Sequence, residues 1–343
     1  MSTRRTLALL WIAAGLLALG SNQPAAAQST QQPDRIVIVA EDNDGGYRAT
    51  KSKSYAAVRD RVIKARMLER LRDFLSPVRL PRSIGVRAEE CAGGEDASPF
   101  YNSADRTITI CYQFITLAET MTDKVMAAVT KDPKRYPFPI TRDEFLWGLI
   151  GGVLLHESGH ALFDVLDVPV FGREEDAADQ ISILVALHLR PQLAEAAVKA
   201  YAYFWRMVPD PDSGMTKDGK LNEDFADEHG TGSQRLFNGL CIGYGHSPAV
   251  FGKFVAAGWL PENRAKGCAR EYERLASAFA RTVLPFIDAK KMAEVQGVDW
   301  LAASYGPAQP VTAVVRNTPP PTTPVRSDAP PGGQGPAGRG TGQ

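Results

Sequence analysis

Apolar positions recur along this chain with two periods, one strand-like and one helical. Residues 35–40 run Arg-Ile-Val-Ile-Val-Ala, a β-branched segment that reads as a first strand. Residues 41–46 look at first like a calcium loop, but Gly46 falls on a ligand position, so a turn is expected there. Over 55–75, Val58, Val62, Ala65, Leu68, Leu71 and Leu75 recur at threes and fours, which predicts one helix. Its other face carries Arg59, Arg61, Lys64, Arg66, Arg70 and Arg72 and reads as solvated, until Pro77 and Pro81 end the pattern. Residues 83–88 and 106–112 read as strands. The second alternates, with Ile108, Ile110 and Tyr112 on one face, and an exposed edge there would suit an extended peptide.

Helical periods dominate the rest. A helix is expected over 114–131 and a loop over 131–139. Thr141 then caps a helix over 142–166, with Glu144 closing a capping box. Leu146, Leu149, Ile150, Val153, Leu154 and Leu155 make that helix apolar on most sides, as suits the centre of a core. Gly151, Gly152 and Gly159 weaken it by about 1 kcal/mol each relative to alanine. That cost suggests close approach by another element. Further helices are expected from about 173 to 188 and over 193–207, 233–242, 249–257 and 270–284. Tyr201, Tyr203, Phe204 and Trp205 are assigned to the core. Residues 209–230 form a long polar loop of the kind that is often functional. From 307 onwards Pro, Gly, Thr and Ser dominate, as in a disordered tail.

The central helix carries His156-Glu157-Ser158-Gly159-His160, an H-E-x-x-H pattern. On a helix the two imidazoles lie one turn apart on one face and can share a zinc ion. Glu157 is then placed as general base toward the water that the metal activates. The next helix opens with Glu174-Glu175-Asp176 and continues to Asp179. Three acids in a first turn also suit the helix dipole. Glu175 and Asp179 share a face. Glu175 is the expected third ligand, with Glu174 and Asp176 as alternatives, and Asp179 is the expected partner of a ligand histidine. A metzincin-type third histidine is excluded, because Phe163 and Leu166 stand where that pattern needs Gly and His. Two histidines and one glutamate leave a coordination position open, as catalytic zinc sites do. His229 is the first candidate to stabilise the oxyanion, with Tyr244 and Arg235 behind it, although a purely structural role is open for it. His188 and His246 belong to no ligand spacing and are read as structural.

His156-Glu157-x-x-His160 followed by Glu175-x-x-x-Asp179 resembles the gluzincin branch of zinc metallopeptidases. Its Glu-x-x-Ala-Asp form is closer to the prenyl-protein and heat-shock membrane proteases than to thermolysin, though this chain lacks their membrane spans. Over most of its length it resembles an uncharacterised bacterial family of proposed metallopeptidases. The residues that carry this likeness are Thr109 to Tyr112, His156 to His160, Gly172 to Asp179, Asp227 to His229, Gln234-Arg235, and Asn238 with Cys241. No substrate comes with that resemblance. The expected fold is α+β and zincin-like over 35–305, with a small sheet packed on the H-E-x-x-H helix and a mainly helical second half.

Composition places this domain. Arg4 and Arg5 precede an apolar run over 7–20, and Ala25-Ala26-Ala27 offers a cleavage site, so residues 1–27 read as a signal peptide. A periplasmic or secreted protein is expected, with no stable membrane insertion after cleavage and a disordered tail over 306–343. The chain holds 39 basic and 39 acidic residues; without Arg4 and Arg5, 37 face 39. That balance argues against a nucleic-acid partner. Four cysteines in an oxidising compartment read as disulfides with three possible pairings. Proximity favours Cys91–Cys111 and Cys241–Cys268. The expected activity is zinc-dependent hydrolysis of peptide or protein substrates. The alternatives are an exported zinc-binding protein that does not cleave and a zinc amidase acting on cell-wall peptides. Oligomeric state is not legible.

Overall fold

The β-branched segments pair into one small sheet. In the computed structural model, which describes residues 35–41, 44–210, 225–298 and 300, its order is β1 (Ile36–Ile38), β2 (Ile84–Glu89), β4 (Thr107–Cys111), β3 (Phe100–Asn102). The first three strands run parallel, and β3 runs antiparallel to β4 along the edge. In register, Val86 faces Ile108 and Ala88 faces Ile110, and β4 is buried along its whole length. Its alternating pattern therefore marks an interior strand, covered on both faces. An incoming peptide cannot pair with it, because β2 and β3 occupy both of its edges. The edge belongs to β3, three partly exposed residues too short to carry a period.

The helix expected over 55–75 is two, α1 (Lys53–Lys64) and α2 (Met67–Leu75). Between them Arg66 takes a left-handed conformation at φ 53°, which no helix can contain. The basic face is not simply solvated. Arg59 donates to the Tyr47 carbonyl at 2.8 Å, and Arg61 forks onto Glu119 at 2.7–2.8 Å. At the expected turn, Asp44 accepts from the N–H groups of Glu41 and Gly46.

The helical part follows the pattern closely. After α3 (Tyr112–Lys131), the Thr141–Glu144 capping box starts α4 (Arg142–Val165). Then come α5 (Glu174–Leu187), α6 (Pro191–Met207), α7 (Gly232–His246), α8 (Pro248–Ala256), α9 (Glu262–Ala265), α10 (Cys268–Thr282) and α11 (Ala289–Gly297). Helix α4 touches the sheet through β3 and β4 and packs on α3, α5 and α6, so it bridges the strand and helical parts. Two of its glycines allow close packing. A Cβ at Gly148 would meet the Cβ of Ala200 in α6 at 2.7 Å, and one at Gly159 would meet Ile181 in α5 at 2.7 Å. Gly151 and Gly152 do not fit that explanation, since a Cβ at either would enter open space.

Disulfides Cys91–Cys111 and Cys241–Cys268 close loops of 20 and 27 residues, the second tying α7 to α10. In a chain-entropy description each is worth about 3 kcal/mol. Of the aromatic group in α6, Tyr203 is core, fully buried against Phe138 and Trp259, whereas Trp205 lies under Arg235. Among the described residues no helix is long and apolar enough to cross a membrane. The expected signal peptide and tail lie outside the described residues.

Candidate metal centre

Helices α4 and α5 are joined by a short link and lie against each other, which brings their acidic and imidazole side chains to one point. His156 Nε2 lies 2.9 Å from Glu175 Oε2, and His160 Nε2 lies 3.3 Å from Glu175 Oε1. The two Nε2 atoms are 3.3 Å apart. Each of the three residues offers one ligand atom, all within 4.8 Å of one another, the geometry of a group that could hold a metal ion.

The outer partners explain why such a cluster draws positive charge. His156 Nδ1 lies 2.9 Å from Asp179 Oδ1, and His160 Nδ1 lies 2.7 Å from Glu174 Oε1. Carboxylates accept, so each of these contacts fixes the proton on Nδ1. In neutral rings both Nε2 lone pairs then point at the Glu175 carboxylate, which is also an acceptor. Acceptors without a donor repel unless protons or a metal ion intervene. Without metal, protons serve. Burial pulls the His160 pKa down, but hydrogen bonds to Glu175 and Glu174 outweigh it and lift it to about 9. The same balance of burial against Asp179 and Glu175 raises His156. Burial alone would raise Glu175, yet the imidazoles around it hold it well below the usual carboxylate range. A divalent cation at that point would replace those protons, and two imidazoles with one carboxylate are a donor set that suits such an ion.

Asp179 is itself gripped. Arg235 in α7 forks onto it with two contacts of 2.6 Å and lies over the Trp205 ring at 4.1 Å from its centroid. The Tyr201 hydroxyl donates to the Arg235 carbonyl at 2.9 Å. Burial would raise the Asp179 pKa, but His156 and Arg235 hold it down. Arg235 is thus committed to Asp179 and is not the free donor considered from the sequence. Tyr244 does not line the cavity of this centre, and Asp176 pairs with Arg173 at 3.0 Å instead of joining the cluster.

Glu157 points into the same cavity and is 7% exposed. Burial pushes its carboxyl up, against the pull of both motif histidines and a hydrogen bond with the backbone of Tyr101 in β3. His229 arrives from the segment before α7. Its Nε2 lies 2.9 Å from Glu175 Oε2 and its Nδ1 lies 2.8 Å from Asp227. A third imidazole therefore meets the shared carboxylate. The role of Glu174 as partner of His160 escaped the sequence reading, since three adjacent acids offer no sign of which one turns where. His188 and His246 lie outside this cluster: the His188 ring bonds to the Leu184 carbonyl and its own carbonyl accepts from Gln296, while the His246 ring bonds to the Tyr272 hydroxyl.

The protein is of the mixed α+β class in which a His-His-Glu group that could hold a metal ion lines a cavity, here of about 1050 Å³. Within that class, the chain belongs to the family described as "Putative metallopeptidase", whose profile matches residues 47–283. No curated protein and no solved structure matches it.

Proposed function

We propose that the protein is an exported, zinc-dependent peptidase with a zincin-like domain over about 35–305, a signal peptide over 1–27 and a Pro/Gly-rich tail over 306–343. The observation that carries this reading is the convergence of two Nε2 lone pairs and one carboxylate beside a buried glutamate in a cavity. Two disulfides fit an oxidising compartment.

His156, His160 and Glu175 would hold the ion. A zinc ion there supplies Lewis acidity, lowering the pKa of water and polarising a carbonyl. Asp179 and Glu174 keep Nδ1 of each histidine protonated and Nε2 free. Glu157 takes a proton from the attacking water and passes it to the leaving amide nitrogen; its burial raises its basicity for that task. His229, as the imidazolium that Glu175 and Asp227 favour, would donate toward the carbonyl oxygen as negative charge develops.

Digestion of a peptide library tests this, with chelator and Glu157→Gln controls. The zinc-loaded protein should cut, chelator should abolish cutting, and Glu157→Gln should keep its zinc and lose at least about a hundredfold in turnover. Full activity in Glu157→Gln removes the base assignment. Peptide binding with no cleavage points to the non-catalytic alternative, and cleavage of cell-wall peptides alone to the amidase.

A further inference from the structure

The cavity is far larger than a three-ligand centre requires, and most of its wall is apolar. Phe74, Trp147, Leu193 and Phe204 line it together with His156, Glu157 and Glu175. Two charged groups on its lining are engaged with neighbours: Arg70 donates to the Trp300 carbonyl at 3.0 Å, and Asp164 accepts from the Tyr101 hydroxyl at 2.5 Å. Gly151 and Gly152 also line it, and Gly152 stands one turn before His156.

The four glycines of α4 divide by environment. Gly148 and Gly159 have neighbours that a Cβ would strike. Gly151 and Gly152 have nothing within 4 Å of an added Cβ, and neither has a positive φ. In the middle of a helix they weaken it without close packing or backbone strain in return. What they do provide is space, on the cavity side of the turn that precedes the centre.

We propose that the cavity over Gly151 and Gly152 is a subsite for a bulky apolar side chain of a peptide substrate, aromatic or long aliphatic, beside the bond to be cut. This rests on the peptidase reading for its ligand. The occupant is an apolar side chain and not a charged group, because most of the wall is apolar. Filling the space from the helix side should exclude large residues and spare small ones.

The test uses labelled hexapeptide pools with phenylalanine or alanine fixed at one position, titrated by fluorescence anisotropy onto the zinc-loaded Glu157→Gln protein. At one position phenylalanine should bind at least about tenfold more tightly than alanine. Adding Gly152→Leu should cut that preference to below about twofold, leaving the alanine pool within about twofold and the zinc content unchanged. Gly151→Leu is the parallel variant. Both should melt no lower than their parent, because leucine favours a helix more than glycine does. No preference in the parent, or an unchanged preference in both folded variants, overturns the proposal. Cleavage of the same pools by the wild-type protein reports separately on the activity. Preference without cleavage keeps the subsite and removes the peptidase, and cleavage without preference does the reverse.

Discussion

His156 and His160 stand one turn apart on the same helix, yet the protein holds them in different ways. The His156 side is buried: its partner Asp179 is 10% exposed and is locked by Arg235, which packs on Trp205. The His160 side is open: its partner Glu174 is 55% exposed and makes no further bond among the described residues. One histidine is anchored through α5 to α7, and the other is steadied by a side chain in solvent. Support for a histidine of such a cluster can thus also hold the fold together, or it can act on that histidine alone.

Four variants would break or sharpen that contrast. Glu175→Ala removes the carboxylate both histidines share. Zinc affinity, measured by chelator competition, should fall by more than the roughly hundredfold that losing an outer partner can cost. Retained zinc would overturn the ligand assignment. Asp179→Ala should lower zinc affinity by roughly 10–100-fold and also destabilise the apo-protein by about 3–5 kcal/mol in urea, because Arg235 is left as an uncompensated buried charge. Adding Arg235→Met should recover much of the stability and none of the affinity. Glu174→Gln should weaken zinc binding by about tenfold or less and change stability by under about 0.5 kcal/mol. A loss equal to that of Asp179→Ala would erase the difference between the two sides.

The smallest effect on the centre should come from Asp44→Asn, far from it in the chain. Burial raises the Asp44 carboxyl, but Arg48 and the N–H groups of Gly46 and Glu41 bring it below its ordinary 3.8. Its contribution is therefore present above that value and is lost as the pH falls through the lower folded one. The variant should lose about 1 kcal/mol at pH 7, converge with the parent in acid, and bind zinc unchanged. Equal loss at all pH values would show that packing and not charge is at stake.

Much of this was legible before any coordinates. The span of α4 and its capping box are local, set by residues within a few positions of one another, and so were readable. The pairing of the cysteines followed proximity. The break at Arg66 was not legible, because the apolar period continues through it and no glycine or proline marks the left-handed residue. The edge strand β3 left no trace in three partly exposed residues. Arg235 was noticed only as a basic residue downstream of the H-E-x-x-H motif, because its partner Asp179 lies 56 residues away.

The sequence by itself determined which two histidines and which glutamate could share a metal ion and on which face of which helix they lie, because helical spacing fixes the neighbours of a side chain within one turn. Tertiary structure alone decided which acid serves which histidine, that a third imidazole reaches Glu175, and that two glycines of α4 meet another helix while two meet open space. Those outcomes depend on how α4, α5, α6 and α7 lie against one another. Such distances arise from packing over the whole core, and local pattern carries no record of them.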